Sequence, residues 1–185
     1  MSAANDPKLE ARILDYLKSR IPGGRDFALA NVSRIAVGWS HETWLFDLEY
    51  REHGREVTSG MCLRRDPGNA LLRHLSSLDE QYRVLKCLEG TALPTPKVYW
   101  YEDDLAILDM PFLVMELLRG EDLASVVQNR GNLPPEEVVL YIGQTARALD
   151  KTHAANVVHR DLKPDNLFLT IRDDETPCVK VLDFG

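Results

Sequence analysis

His159-Arg160-Asp161-Leu162-Lys163-Pro164-Asp165-Asn166 is the stretch on which the reading of this chain turns, and Asp183-Phe184-Gly185 follows, with Asp183 seventeen residues after Asn166. Between them, Leu167 to Ile171 and Val179 to Leu182 read as a strand pair joined by the polar turn Arg172 to Pro177. One loop, its backbone restricted by Pro164, therefore carries Asp161 and Asn166. The second strand of the hairpin delivers Asp183 beside them.

These residue types suit phosphoryl transfer, which asks a protein mainly for positioning and charge stabilisation. Asp161 can orient an attacking hydroxyl and accept its proton. Asn166 and Asp183 supply neutral and anionic hard oxygens for Mg²⁺. Lys163 is placed to hold the γ-phosphate of ATP. The alternative, a polar turn followed by an unrelated hairpin, is disfavoured by the octet and the in-register Asp-Phe-Gly together.

Upstream of the octet the pattern is helical back to Gly120. Asp122 to Asn129 reads as a short helix, and Pro134 and Pro135 suit the first turn of a longer one. Val138, Ile142, Ala146, Leu149 and His153 line one of its faces. Before Gly120 the chain reads differently. Leu9, Ile13, Leu17 and Ile21 recur every fourth residue, predicting a helix from Pro7 to Ile21 that Pro22-Gly23-Gly24 ends.

Val32 to Val37, Thr43 to Tyr50 and Val57 to Arg64 predict a three-stranded antiparallel meander with links at Gly38 to His41 and around Gly54. Asp66 to Asn69 is a turn. Leu71, Leu75, Leu78, Tyr82 and Leu85 mark a helix ending near Gly90. Lys97 to Glu102 is extended, and a polar turn leads to a further strand, Pro111 to Leu117. Five strands and one inserted helix make an α+β unit of the first 118 residues.

The totals are those of an ordinary globular protein: 185 residues, 44% hydrophobic and 28% charged. A net charge of −7 argues against nucleic-acid or anionic-membrane binding. No apolar run approaches membrane-spanning length, and Met1 to Arg12 has no signal-peptide core. Cys62, Cys87 and Cys178 are far apart and lack metal-ligand spacing, as do the histidines. A cytoplasmic protein with reduced thiols is expected.

The octet and Asp-Phe-Gly resemble the eukaryotic-type protein kinase family, in its bacterial Ser/Thr branch. The resemblance runs over roughly residues 112–185 and includes Val114-Met115-Glu116-Leu117-Leu118 and Gly120-Glu121-Asp122-Leu123. It implies that Asp161 is the catalytic base and that Arg160 meets a phosphorylated activation loop. It also implies that the carbonyl of Glu116 and the amide of Leu118 bind adenine, with Met115 as gatekeeper and Asp122 or Glu121 near the ribose.

The first half resembles a different relative. Cys62 to Pro67, Asp79 to Leu85 and Leu93 to Val98 are similar to the aminoglycoside/choline phosphotransferase-like family, which shares the kinase fold but acts on small molecules. The phosphate-covering turn corresponds to Gly38-Trp39-Ser40-His41, so Gly38 and Ser40 are candidate nucleotide contacts; an ordinary hairpin turn is the alternative. Arg64 stands where the phosphate-binding lysine is expected, and its planar fork is not equivalent to an ammonium. Gln81 stands where the resemblance implies a glutamate, giving a clamp that can hydrogen-bond but not neutralise Arg64.

The expected fold is α+β and protein-kinase-like: an N-lobe over residues 1–118 and a partial, truncated C-lobe over 119–185. The expected function is ATP-dependent phosphotransfer with Mg²⁺ to a protein Ser/Thr hydroxyl. A small-molecule kinase and a non-catalytic nucleotide-binding module are the alternatives. Apolar faces of the Val138–His153 helix and the catalytic hairpin are expected to be short of cover, which favours association or marginal stability.

Overall fold

The computed structural model describes residues 6–37, 41–66, 78–89, 94–172 and 174–182. They form two compact units, one from Met1–Asp79 with Val98–Leu117, the other from Glu80–Lys97 with Leu118–Gly185. Both α-helices and antiparallel β-sheets are present, as the α+β reading requires.

The first unit is built on a five-stranded antiparallel sheet of order β1-β2-β3-β5-β4. Its strands are β1 (Gly24–Val37), β2 (His41–Glu52), β3 (Arg55–Arg65), β4 (Val98–Glu102) and β5 (Phe112–Glu116). Side chains alternate across a strand, so Trp44, Phe46 and Leu48 of β2 share a face. The register sets Trp44 against Leu63 and Phe46 against Met61, and Leu63 against Val114. All six are buried, and they form one core with Leu9, Ile13, Tyr16 and Leu17 of helix α1 (Pro7–Arg20).

That helix starts where the sequence places it. Pro7 is the first residue, where its missing N–H costs nothing, and the Asp6 carboxylate accepts the Leu9 N–H at 3.2 Å. Across the core, Arg12 donates to the Ile107 carbonyl and pairs with Asp109, and Tyr16 meets Phe112 edge-on at 4.8 Å.

Two expectations need correction in this unit. β1 begins at Gly24, eight residues before Val32. Asp26 and Asn31 have positive φ, and the β1–β2 register shifts between Arg25 and Ala28 and again between Ala30 and Ser33. These irregularities interrupt the two-residue alternation by which a strand is recognised. The polar turn before β5 contains a one-turn helix, α3 (Leu105–Leu108), capped by Asp104 and burying Leu108 in the core. The β2–β3 link is the expected tight one: His53 and Gly54 both take positive φ, as a two-residue hairpin loop requires.

The second unit contains α2 (Leu78–Leu88), counted here from Glu80, then β6 (Gly120–Asp122), α4 (Leu123–Arg130) and α5 (Pro135–Ala154). A 3-10 turn (Pro164–Asn166), β7 (Leu167–Ile171) and β8 (Pro177–Val181) complete it. The predicted start of α2 at Leu71 and the Asp66–Asn69 turn fall largely outside the described residues.

The predicted β7–β8 hairpin has a third strand, since β6 pairs with β7. Three residues containing a glycine carry no alternation that would announce a strand. Gly120 is there for a steric reason. At φ +145° a β-carbon would lie 2.0 Å from the Leu169 carbonyl oxygen.

Along α5 the apolar stripe and the buried stripe are different. Val138 and Ile142 are 42% and 59% exposed, whereas Tyr141, Thr145, Ala148 and Thr152 are buried. The hydroxyls of Thr145 and Thr152 are satisfied by helix carbonyls of Tyr141 and Leu149, which lets polar residues occupy the inner face. Gln144 then fastens the helix to the sheet: its Nε2 donates to the Pro177 carbonyl at 3.0 Å and its Oε1 accepts the Val179 N–H at 2.7 Å.

Candidate active site

His159 begins the loop that holds Asp161 and Asn166. It is 2% exposed, and its Nε2 is 2.8 Å from the carbonyl oxygen of Leu182, the last described residue before Asp183. The Leu182 N–H in turn donates to the Asn166 carbonyl at 2.9 Å. Both backbone groups of Leu182 are therefore held by the loop. Asp183 itself, like Gly38 and Ser40, lies outside the described residues.

Within the loop, Arg160 takes φ +63° and the Asp161 N–H donates back to the His159 carbonyl at 2.9 Å. This bend turns the Asp161 side chain toward solvent. The Lys163 ammonium donates to Asp161 Oδ2 at 2.8 Å. Buried Asn166 donates through Nδ2 to both the carbonyl and Oδ2 of Asp161, at 2.8 and 3.0 Å. Two acceptors on one side fix the orientation of the amide and leave its Oδ1 as a neutral acceptor facing elsewhere.

The Lys163 hydrogen bond holds the Asp161 carboxyl below the usual carboxylate range. Partial burial works against it, and the Asn166 amide adds to it. The result is an ionised, accessible carboxylate gripped on one oxygen, with Oδ1 open to a donor. Such a group can accept a hydrogen bond, and then a proton, from a hydroxyl brought to it.

Asp161, Lys163 and Asn166 are thus brought together as their spacing suggests. Lys163, read as a phosphate ligand, makes its hydrogen bond here to Asp161.

Other positions are placed one by one. Arg64 lies on β3, opposite Thr43 and Leu113, on the sheet face away from the α1 core. Glu116 ends β5 against Met61, and the next amide, Leu117 N–H, donates to the Gly60 carbonyl at 3.0 Å. In the second unit, Gln81 is half-buried on α2, whereas Glu80 is exposed; Leu118 is half-buried. Asp122 caps α4: Oδ1 accepts the Ser125 N–H at 2.7 Å and Oδ2 its hydroxyl at 2.8 Å. Burial pushes the Asp122 carboxyl up, and these bonds outweigh it, leaving it below its ordinary value.

Sequence reasoning missed two positioning groups, Leu182 and Gln144. The first acts through its backbone, which has no signature in residue type. A glutamine amid an apolar run is a weak signal that the helix serves a strand edge. Among the described residues no group of three His, Cys, Asp or Glu side chains is arranged to hold a metal.

Comparison with known proteins agrees with this geometry. Residues 92–185 match the protein kinase domain family. Serine/threonine-protein kinase Pkn1 of Myxococcus xanthus is 44% identical over 91 residues, 46% of this chain and 13% of that protein. PknA of Mycobacterium tuberculosis is 46% identical over 74 residues, 40% of this chain and 16% of that protein. Pkn3 of Myxococcus xanthus is 42% identical over 74 residues, covering 14% of its length. The chain therefore spans only a small part of these curated relatives. With its matched segment covering the loop, the hairpin and half of its length, the chain belongs to the protein kinase family.

Proposed function

We propose that this chain carries the catalytic loop of an ATP-dependent protein serine/threonine kinase, with residues 1–118 as N-lobe and 119–185 as part of the C-lobe. The observation that carries the reading is the Asp161–Lys163–Asn166 arrangement. Asp161 is ionised by its partners, and its free oxygen receives the substrate hydroxyl. Lys163, 2.8 Å away, offsets the carboxylate charge and would contact the phosphoryl oxygens. Asn166 keeps the Asp161 side chain from rotating.

Mg²⁺ bound with ATP would supply charge neutralisation at the transferred phosphate. The donor set fits a hard cation, since the orientation of Asn166 frees its Oδ1 and Leu182 ties the chain leading to Asp183 to the same loop. Gly38, Ser40, Arg64, Gln81, Glu116, Leu118 and Asp122 keep the nucleotide-contacting roles implied by resemblance. For Asp122 that role would fall to whatever acceptor capacity its capping bonds leave. Use of ATP goes with a cytoplasmic location. Among the described residues no helix is long and apolar enough to cross a membrane.

The test is phosphate transfer from MgATP to a Ser/Thr peptide by the full chain. Asp161→Asn should lower the rate about 10²–10⁴-fold, the usual worth of a positioned general base. Transfer that survives this change intact would exclude Asp161 as the base, and MgATP binding without any transfer would favour a nucleotide-binding module.

A further inference from the structure

On the α1 side of the five-stranded sheet, Glu42 of β2 joins three strands and a helix. Its side chain is 13% exposed. Oε2 accepts two bonds from the Arg65 guanidinium of β3, the one from Nε at 2.9 Å. Oε1 accepts the Trp44 indole N–H at 3.1 Å. Arg34 of β1 is ion-paired with the same oxygen at 2.6 Å, without the alignment of a hydrogen bond, and its guanidinium lies 5.6 Å from the centre of the Trp44 ring. Arg65 also donates to the carbonyl of Leu108 in α3 at 3.0 Å, and its side chain is 16% exposed.

The neighbour of Arg65 is Arg64. Side chains alternate along a strand, so two adjacent arginines point to opposite faces of the sheet. Leu63, fully buried, is the last apolar residue of β3, and Arg64, Arg65 and Asp66 follow it. Past Leu63, burial of apolar surface does not distinguish the two cations, and a one-residue slip of the strand end would exchange them. The Glu42 carboxylate does distinguish them. The β2–β3 register sets Glu42 directly opposite Arg65 and Thr43 opposite Arg64. A largely buried ion pair adds little stability over packed apolar side chains, and register is what such a pair is best placed to fix.

We propose that Glu42 is a positioning residue for nucleotide binding: it holds Arg65 on the α1 side of the sheet and so keeps Arg64 on the other. This role rests on the reading of Arg64 as the cation that contacts the nucleotide. Glu42 itself acts only through β3. Its charge gives the effect a diagnostic sign. Removal of a carboxylate should, on charge alone, favour an anionic ligand, whereas loss of positioning should weaken its binding.

The experiment is calorimetric titration of MgATP into the full chain, with Glu42→Ala, Arg64→Ala, their double variant and Arg12→Ala. Glu42→Ala and Arg64→Ala should each weaken binding about tenfold, the worth of one hydrogen bond to a charged group. The double variant should bind no more weakly than Arg64→Ala, because Glu42 acts through that residue. Arg12→Ala removes the α1–α3 ion pair in the same unit and should leave affinity unchanged. Glu42→Gln, which keeps the shape and one acceptor, replaces Glu42→Ala if that variant fails to fold, and should weaken binding in the same direction. Unchanged or tighter binding by the Glu42 variants, additive losses in the double variant, or an equal loss in Arg12→Ala would overturn the proposal.

Backbone NOEs across the β2–β3 ladder separate this role from the nucleotide reading. Contacts of residue 42 with 65 and of 43 with 64 should weaken in the Glu42 variants, while that of Trp44 with Leu63 persists. Wild type that binds no MgATP would overturn the nucleotide role of Arg64, and the same NOE change would still uphold Glu42 as the residue that sets the strand end. Both contacts intact in the variants would overturn that as well.

Discussion

The sheet unit and the unit that carries the 159–166 loop differ in how their long elements are held. In the first, large apolar side chains do the work: Trp44, Phe46, Leu48, Leu63 and Phe112 are 0–1% exposed and face one helix-covered side of the sheet. In the second, the long helix buries Tyr141, two threonines and an alanine while Val139 and Ile142 stand 72% and 59% exposed. Besides buried Val126, Val179 and Val181, the unit has polar clamps: Gln144 on β8, His159 and Asn166 on Leu182, Asp122 on α4. Apolar burial is non-directional, so it stabilises a fold without fixing a side chain to a fraction of an ångström. Hydrogen bonds have direction, and a catalytic carboxylate needs its direction fixed.

Apolar truncation breaks or upholds this contrast most sharply. Phe46→Ala should destabilise the first unit by about 3–5 kcal/mol, the usual cost of removing a fully buried phenyl ring. Ile142→Ser in the second unit should change stability by no more than about 0.5 kcal/mol, since the side chain is largely in water already. Tryptophan fluorescence in urea reports on the first change, because Trp44 and Trp100 lie on strands of the sheet unit. Far-UV circular dichroism follows the second. Similar costs for the two substitutions would mean that the exposed face of α5 is covered in solution.

Polar truncation should reverse the ranking. Gln144→Ala removes the acceptor of the Val179 N–H, and Val179 is fully buried. An unsatisfied buried donor costs about 1–3 kcal/mol, which exceeds the effect expected at Ile142 in the same helix. Hydrogen exchange at Val179 is the measurement, and protection unchanged by the substitution would show that the fork is dispensable.

This division explains what the sequence made legible. The 159–166 loop was readable because it carries particular residue types at fixed spacing, and Asp161, Lys163 and Asn166 do come together. Helix α1 and the alternating parts of β2 and β3 were readable from period and capping. What escaped were features whose causes lie outside residue type. β1 is interrupted by residues at positive φ, β6 is a strand because Gly120 lets the chain approach Leu169, and α3 hides one buried leucine in a polar turn. The inner face of α5 escaped for a related reason: threonines that bond their own helix backbone can be buried, so polarity alone misassigns the face.

The smallest effect concerns the clamp at the Asp161 carboxylate itself. Lys163 holds the Asp161 carboxyl below its usual range, with the Asn166 amide as a further cause. A carboxylate depressed in the folded state contributes stability above its unfolded value, and loses that contribution as pH falls through the folded one. The relevant window therefore lies below the ordinary value of 3.8, and neutral pH leaves Asp161 ionised. Lys163→Ala should move the Asp161 titration upward, read by carboxyl ¹³C shifts, and carry the acid limb of any kcat/KM profile with it. Both partners are about half exposed, so added salt should move the wild-type titration the same way by screening the pair. The Asn166 bonds, being short and partly buried, should respond far less. A titration indifferent to both salt and Lys163→Ala would mean that the Asn166 amide, and not the lysine, holds the Asp161 carboxyl low.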